Sequence, residues 1–170
     1  DALNALNYDM ARKFLIKNDS WKKDPEGNEI RGICFRQGYM ATKDTTVRVR
    51  IEGERAVLTI KGKTVGMSRL EYEYEIPLTD ANEMLDQLCQ KPFIEKARFL
   101  RQEAELTWEI DIFEGKNAGL QIAEVELTSE DQKVDLPEWL GEEVTGDVRY
   151  YNSNLVKNPI GTGAFTLKQF

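Results

Sequence analysis

Charge in this chain alternates with apolar residues and is sorted by sign from one segment to the next. Val47-Arg48-Val49-Arg50-Ile51 sets two arginines among three aliphatic residues. Leu70-Glu71-Tyr72-Glu73-Tyr74-Glu75-Ile76 repeats the pattern with glutamates, as do Trp108-Glu109-Ile110-Asp111-Ile112 and Ala123-Glu124-Val125-Glu126-Leu127. Side chains at i and i+2 share one face of a strand. Each segment therefore predicts a strand with one apolar face and one face of single-sign charge. Like charges in close cross-strand pairs are destabilising, so an ordinary solvated sheet mixes its signs. Separate basic and acidic faces fit a ligand that needs both, with cations on phosphate oxygens and carboxylates on a metal.

At 170 residues the chain reads as one domain with room for a core. Its net charge of −7 argues against a nucleic-acid duplex gathered by bulk electrostatics, and leaves room for a local basic channel. No apolar run reaches the roughly 18 residues of a membrane span, and no secretory leader is expected. Cys34 and Cys89 are far apart and are expected as buried free thiols, in keeping with a cytoplasmic protein. Histidine is absent. That excludes Ser-His-Asp and Cys-His sites and His-ligated zinc, and two cysteines cannot make a four-sulfur zinc site. Hard-metal chemistry on oxygen ligands remains, or acid–base work by lysine, tyrosine and carboxylates.

Asp1 to about Tyr8 lack an initiator Met and read as an added or disordered start. Strands are expected at Lys13–Lys17, Ile33–Met40, Thr46–Glu52, Ala56–Lys61, Arg69–Ile76, Ile94–Leu100, Glu105–Phe113 and Leu120–Leu127. Thr79 or Asp80 is expected to cap a helix carrying Ala81, Met84, Leu85 and Leu88 at helical spacing, with Pro92 beyond it. A short helix or turn begins at Ser129 and closes at Pro137–Gly141, and Asp147–Val156 reads as a last short helix. Trp139 and Leu140 carry two readings, a homodimer contact and a core position. Residues 157–170 read as a C-terminal tail after a single domain at 9–156.

These elements predict an α+β, mainly β fold: an eight-stranded antiparallel closed barrel with a few peripheral helices. Its apolar faces would lie outward and its charged faces would line a tunnel. Burying ions costs several kcal/mol per group unless they are paired, so a charged lumen does not persist for stability alone. A sandwich or half-open sheet with solvated charged faces accounts for the patterning equally well.

The order of the segments resembles the CYTH family of triphosphate tunnel metalloenzymes, its short bacterial members above all. The resemblance runs from about Asp9 to Leu155, through Arg12-Lys13-Phe14-Leu15-Ile16, Arg36-Gln37-Gly38-Tyr39, Arg48-Val49-Arg50, Leu58-Thr59-Ile60-Lys61, Ser68-Arg69-Leu70-Glu71-Tyr72-Glu73 and Glu95-Lys96-Ala97-Arg98. It continues through the two later acidic segments to Gly141-Glu142-Glu143-Val144-Thr145, Asp147 and Arg149-Tyr150. It implies a tunnel barrel acting on triphosphates with Mg2+ or Mn2+. By resemblance, Arg48, Arg50, Lys61 and Arg98 hold phosphate oxygens, with Tyr39 and Arg149 as further substrate contacts. Lys13 and Lys96 match a lysine pair tied to cleavage of inorganic triphosphate. Asp9, Glu71, Glu73, Asp111, Glu124 and Glu126 match the metal-binding acids.

One departure stands out. The family signature begins Glu-x-Glu-x-Lys, where this chain reads Asp9-Met10-Ala11-Arg12-Lys13. Ala11 removes a carboxylate from the expected metal site. The expectation is a metal-dependent hydrolase of inorganic tripolyphosphate or a related nucleoside triphosphate. An adenylate cyclase, and a non-catalytic binder of polyphosphate or nucleotide, stand as alternatives.

Overall fold

The computed structural model describes residues 11–63, 65, 69–129 and 131–160. Within them run β1 (Ala11–Ile16), β2 (Gly32–Met40), β3 (Thr46–Glu52), β4 (Arg55–Lys61), β5 (Glu71–Ile76) and α1 (Leu78–Gln87). Then come β6 (Ile94–Glu103), β7 (Leu106–Glu114), β8 (Gln121–Glu126), β9 (Leu140–Glu143) and α2 (Asn152–Lys157).

The strands form one antiparallel sheet in the order β5-β4-β3-β2-β6-β7-β8-β1-β9. The mainly β architecture with peripheral helices is the one the patterning predicts. Among the described residues the ladder ends at β5 and β9 and is not closed between them. Short reversals keep sequence neighbours paired. Glu52 faces Arg55 across Gly53-Glu54, and Gly53 takes the positive φ of 62° that such a tight hairpin demands.

β9 is a strand where a closing turn is expected. Its four residues, Leu-Gly-Glu-Glu, show no period-2 apolar signal. The free edge of β1 makes the strand, pairing Phe14 with Glu143 and Ile16 with Leu140 across an irregularity. Helix α1 also starts earlier than expected. Pro77, with φ −60°, occupies the N-cap position without a side-chain cap bond. Asp80 lies in the first turn, where its charge suits the helix dipole. The segment from Asp147 divides into a 3-10 turn at Val148–Tyr150 and the six-residue α2. Asn158 to Ile160 are placed, and Ile160 packs against buried Leu155 and its neighbours; residues 161–170 lie outside the described residues.

Apolar packing divides into three groups. Val49, Ile51 and Ala56 lie under Ala81 and Leu85 of α1. Phe14, Trp108, Ile110 and Val125 pack with Trp21 and Trp139 on the outer side of β1, β7 and β8. Trp108 meets Phe14 and Trp139 edge-on, each at 5.7 Å. Trp139 and Leu140, 2% and 8% exposed, therefore serve this core rather than a dimer contact. The third group lies on the opposite face of the sheet. Leu15, Ile94, Phe113 and Ile122 meet Tyr150, Leu155 and Val156 of the C-terminal segment. The cysteines are free, but only Cys89 is buried; Cys34, on the outer face of β2, is exposed. No helix among the described residues is long and apolar enough to cross a membrane.

Candidate active site

Register places nearly all the expected site residues on one face of the sheet. Tyr39 is opposite Arg48 and Gln37 opposite Arg50. Arg48 is opposite Thr59, and Lys61 is opposite Glu71. Phe35 is opposite Lys96 on β6, Arg98 opposite Asp111 on β7, Glu109 opposite Glu124 on β8, and Lys13 opposite Glu124 on β1. Unbroken register from β1 to β8 carries this parity across the sheet. Glu73 follows Glu71, and Glu126 follows Glu124, on the same face. Asp9 lies outside the described residues. Arg149 is off the sheet on the 3-10 turn, where its Nη2 donates to Asp147 Oδ2 at 2.6 Å.

Asp111 holds the centre of the face. Its Oδ2 lies 2.8 Å from Lys96 Nζ, and both its oxygens accept from Arg98 at 2.8 and 2.9 Å. Arg98 also donates to Glu109 Oε2 at 3.0 Å. Burial alone would raise the Asp111 pKa, but the two cations hold it well below the usual carboxylate range. Burial likewise works against the charge of Arg98, and Asp111 and Glu109 overcome it. Lys96 behaves differently. Full burial pulls it down to about 8, Arg98 and Arg50 push the same way, and Asp111 resists.

β3 carries positive charge with little compensation. Burial, then the charges of Arg48 and Arg98, lowers Arg50 to about 10. Its nearest carboxylate oxygen, on Glu52, is 3.5 Å away. Arg48 donates to Thr59 Oγ1 at 3.3 Å, and its buried Nε has no partner among the described residues.

Several residues that the sequence reading leaves out complete the site. The Phe35 ring lies beneath the cations, 4.8 Å from Arg98, 5.2 Å from Arg50 and 6.0 Å from Lys96 Nζ. Its negative faces offset part of the mutual repulsion of these charges. Gln37 and Thr59 are fully buried on the same face. The start of α2 closes over the lysines: Asn152 Oδ1 accepts from Lys96 Nζ at 3.2 Å, and Lys13 Nζ lies 5.2 Å from the Tyr151 ring. Phe35, Gln37 and Tyr39 share strand parity, so the spacing of β2 held the signal. Nothing local in Tyr151-Asn152 announces contact with β1 and β6.

The acids occupy two separate places, Glu71 and Glu73 on edge strand β5, and Glu109, Glu124 and Glu126 on β7 and β8. Glu109 and Glu124 are directly opposed like charges. Arg98 takes one, and Lys13 lies 3.9 Å from the other. Ala11 is opposite Glu126.

Comparison with known proteins bears on this face. The CYTH domain family model matches residues 7–156. An inorganic triphosphatase of Acetivibrio thermocellus is 50% identical over 155 residues, covering 91% of this chain and 96% of that protein. An inorganic triphosphatase of Nitrosomonas europaea is 36% identical over 153 residues, covering 86% and 95%. A solved structure described as an inorganic triphosphatase superposes with TM-score 0.66 at 34% identity, over 86% of this chain and 96% of that one. With the sheet order, the one-sided charge and a family match reaching from before β1 into α2, this chain belongs to the CYTH domain family.

Proposed function

We propose that this protein hydrolyses inorganic tripolyphosphate, or a related triphosphate, on the charged face of its sheet. The carrying observation is the excess positive charge of β3, where Glu52, 3.5 Å from Arg50, offsets it only in part. Among the described residues Arg48 keeps a buried donor without a partner, and Arg50 is crowded by two like charges. Such a cluster is stabilised by a polyanion, and guanidinium forks match phosphate oxygens. The names of the two relatives support a triphosphate as that anion.

In this reading Arg48, Arg50, Lys61 and Arg98 bind the phosphoryl oxygens and orient the chain of anhydride bonds. Asp111 keeps Arg98 and Lys96 in place. Water attacks the terminal phosphorus, the new P–O bond forms in line with the breaking anhydride bond, and diphosphate and phosphate result. Lys96, lowered to about 8, accepts the proton of that water at alkaline pH. The backbone of Lys13 is held by Thr145 Oγ1 at 2.9 Å, which fixes its side chain opposite Glu124.

A divalent ion, Mg2+ or Mn2+, is part of this proposal. The donor chemistry fits, since Glu71, Glu73, Glu124 and Glu126 offer only the oxygen that hard cations prefer. Among the described residues no three acids converge on one point, and Asp111 is engaged by two cations. Glu124 with Glu126, or Glu71 with Glu73, would hold the ion, with Asp9 as a further carboxylate. When bound, it supplies charge neutralisation on the phosphate oxygens and polarises water. The free thiols accord with a reducing, cytoplasmic setting.

Phosphate release from tripolyphosphate, with each metal and with a chelator, tests the assignment. Arg48→Ala with Arg50→Ala is expected to lower kcat/KM by at least about a hundredfold, two charge-assisted contacts being lost. Unchanged affinity for tripolyphosphate in that double variant overturns the substrate. Ala11, which removes a carboxylate opposite Glu126, favours one other reading, a binder without turnover. Metal-dependent tripolyphosphate binding with no phosphate release would establish that reading.

A further inference from the structure

Gln37 has no exposed surface and lies on the charged face between Phe35 and Tyr39. Its Oε1 accepts from Arg50 Nε at 2.8 Å, and its Nε2 donates to Tyr39 Oη at 3.1 Å. A guanidinium has donors only. The amide oxygen must therefore face Arg50, which leaves the amide nitrogen for Tyr39. Tyr39 accepts in that bond, so its own hydroxyl hydrogen is directed elsewhere.

We propose that Gln37 is a positioning residue of the triphosphate site, fixing the guanidinium of Arg50 and reserving the Tyr39 hydroxyl as a donor to substrate oxygen. The inference rests on the reading of this face as a triphosphate site. Arg50 needs such a support because Arg48 and Arg98 repel it. A carboxylate in place of Gln37 would also hold Arg50, but would cancel the charge that the substrate seeks. It would also take the Tyr39 hydrogen for itself. A neutral amide holds the arginine without neutralising it. Glu52, 3.5 Å from Arg50, is the carboxylate toward which an unsupported guanidinium would turn.

The test compares Gln37→Met, which keeps the bulk and loses both bonds, with Gln37→Glu, which keeps only the acceptor. NMR of the Arg50 Nε–H in ligand-free protein reads the support directly. Its exchange with water is expected to be slow, at least about tenfold faster in Gln37→Met, and slow again in Gln37→Glu. KM for tripolyphosphate is expected to rise about tenfold in both variants. On an Arg50→Lys, Tyr39→Phe background, Gln37→Met is expected to add less than about twofold, since both of its partners are already removed. Tyr39→Phe is expected to weaken tripolyphosphate binding in the wild-type background and to change nothing in Gln37→Glu.

Unchanged exchange and KM in Gln37→Met overturn the proposal. So does a full tenfold cost on the Arg50→Lys, Tyr39→Phe background, which would mark Gln37 as mere packing. If Gln37→Met does not fold, Gln37→Glu with its Tyr39→Phe partner decides alone. If the wild type releases no phosphate, the functional reading fails by itself. The Arg50 exchange rate, and its response to added tripolyphosphate, still judge the positioning role.

Discussion

Arg98 and Asp111 face each other across β6 and β7 in a forked pair, Nε donating to Oδ1 at 2.8 Å and Nη2 to Oδ2 at 2.9 Å. Lys96 shares the second oxygen at 2.8 Å. One carboxylate thus compensates two largely buried cations.

Removing that carboxylate strands Lys96 and leaves Arg98 with Glu109 as its remaining acid. Asp111→Ala is expected to destabilise the fold by about 3–5 kcal/mol, measured by urea unfolding at neutral pH. The folded pKa of Asp111 lies below its unfolded value. Its contribution is therefore whole above the unfolded carboxyl value, about pH 4, and is lost as the pH falls toward the folded value. Wild type and variant should converge in strong acid. A constant difference down to the lowest accessible pH would refute the ion-pair account.

Lys96 sets a second dependence on pH. At about 8 its folded value lies below that of a lysine in the unfolded chain. The ligand-free protein thus carries a burial penalty that is relieved as pH rises above about 8. In catalysis the neutral amine is the form that accepts a proton. A bound polyanion raises the value, so kcat is expected to climb with pH and level off at or above about 8. Lys96→Arg, which stays charged, should lose both the climb and most of the rate. A climb that survives in Lys96→Arg would place the base elsewhere.

Ala11 can be tested through stability as well as rate. A glutamate there would stand directly opposite Glu126. Opposed like charges cost about 0.2–1 kcal/mol, so Ala11→Glu is expected to melt slightly below wild type in chelator. With saturating Mg2+ or Mn2+ the order should reverse, because the new pair offers a cation another oxygen ligand. Thermal melting with and without metal reads both signs. Equal metal-induced shifts in the two proteins would mean that this position does not contact the ion.

Much of this architecture was legible because its strands keep a strict period of two. Arg48 and Arg50, Glu71 and Glu73, and Glu124 and Glu126 declared one face wherever neighbours at i+2 matched in charge. Phe35 and Gln37 sat at the right parity, but neither carries the charge by which the alternation marked the other residues of this face. β9 escaped because its pairing comes from the open edge of β1 and not from its own four residues. The seating of α2 was equally hidden. Leu155 and Val156 show that the helix is buried, but only the fold shows that it rests on the charged side of the sheet.

The alternation in β3 carries a consequence for folding errors. Val49 is fully buried beneath α1, while Arg48 and Arg50 point to the other side. A slip of one residue against β2 would drive both guanidiniums under the helix and turn the valines onto the charged face. Unpaired buried charge makes that state unstable before any ligand is present. The residues proposed to recognise substrate therefore also proofread the sheet, and a misaligned chain is rejected as a fold before it can be tried as an enzyme.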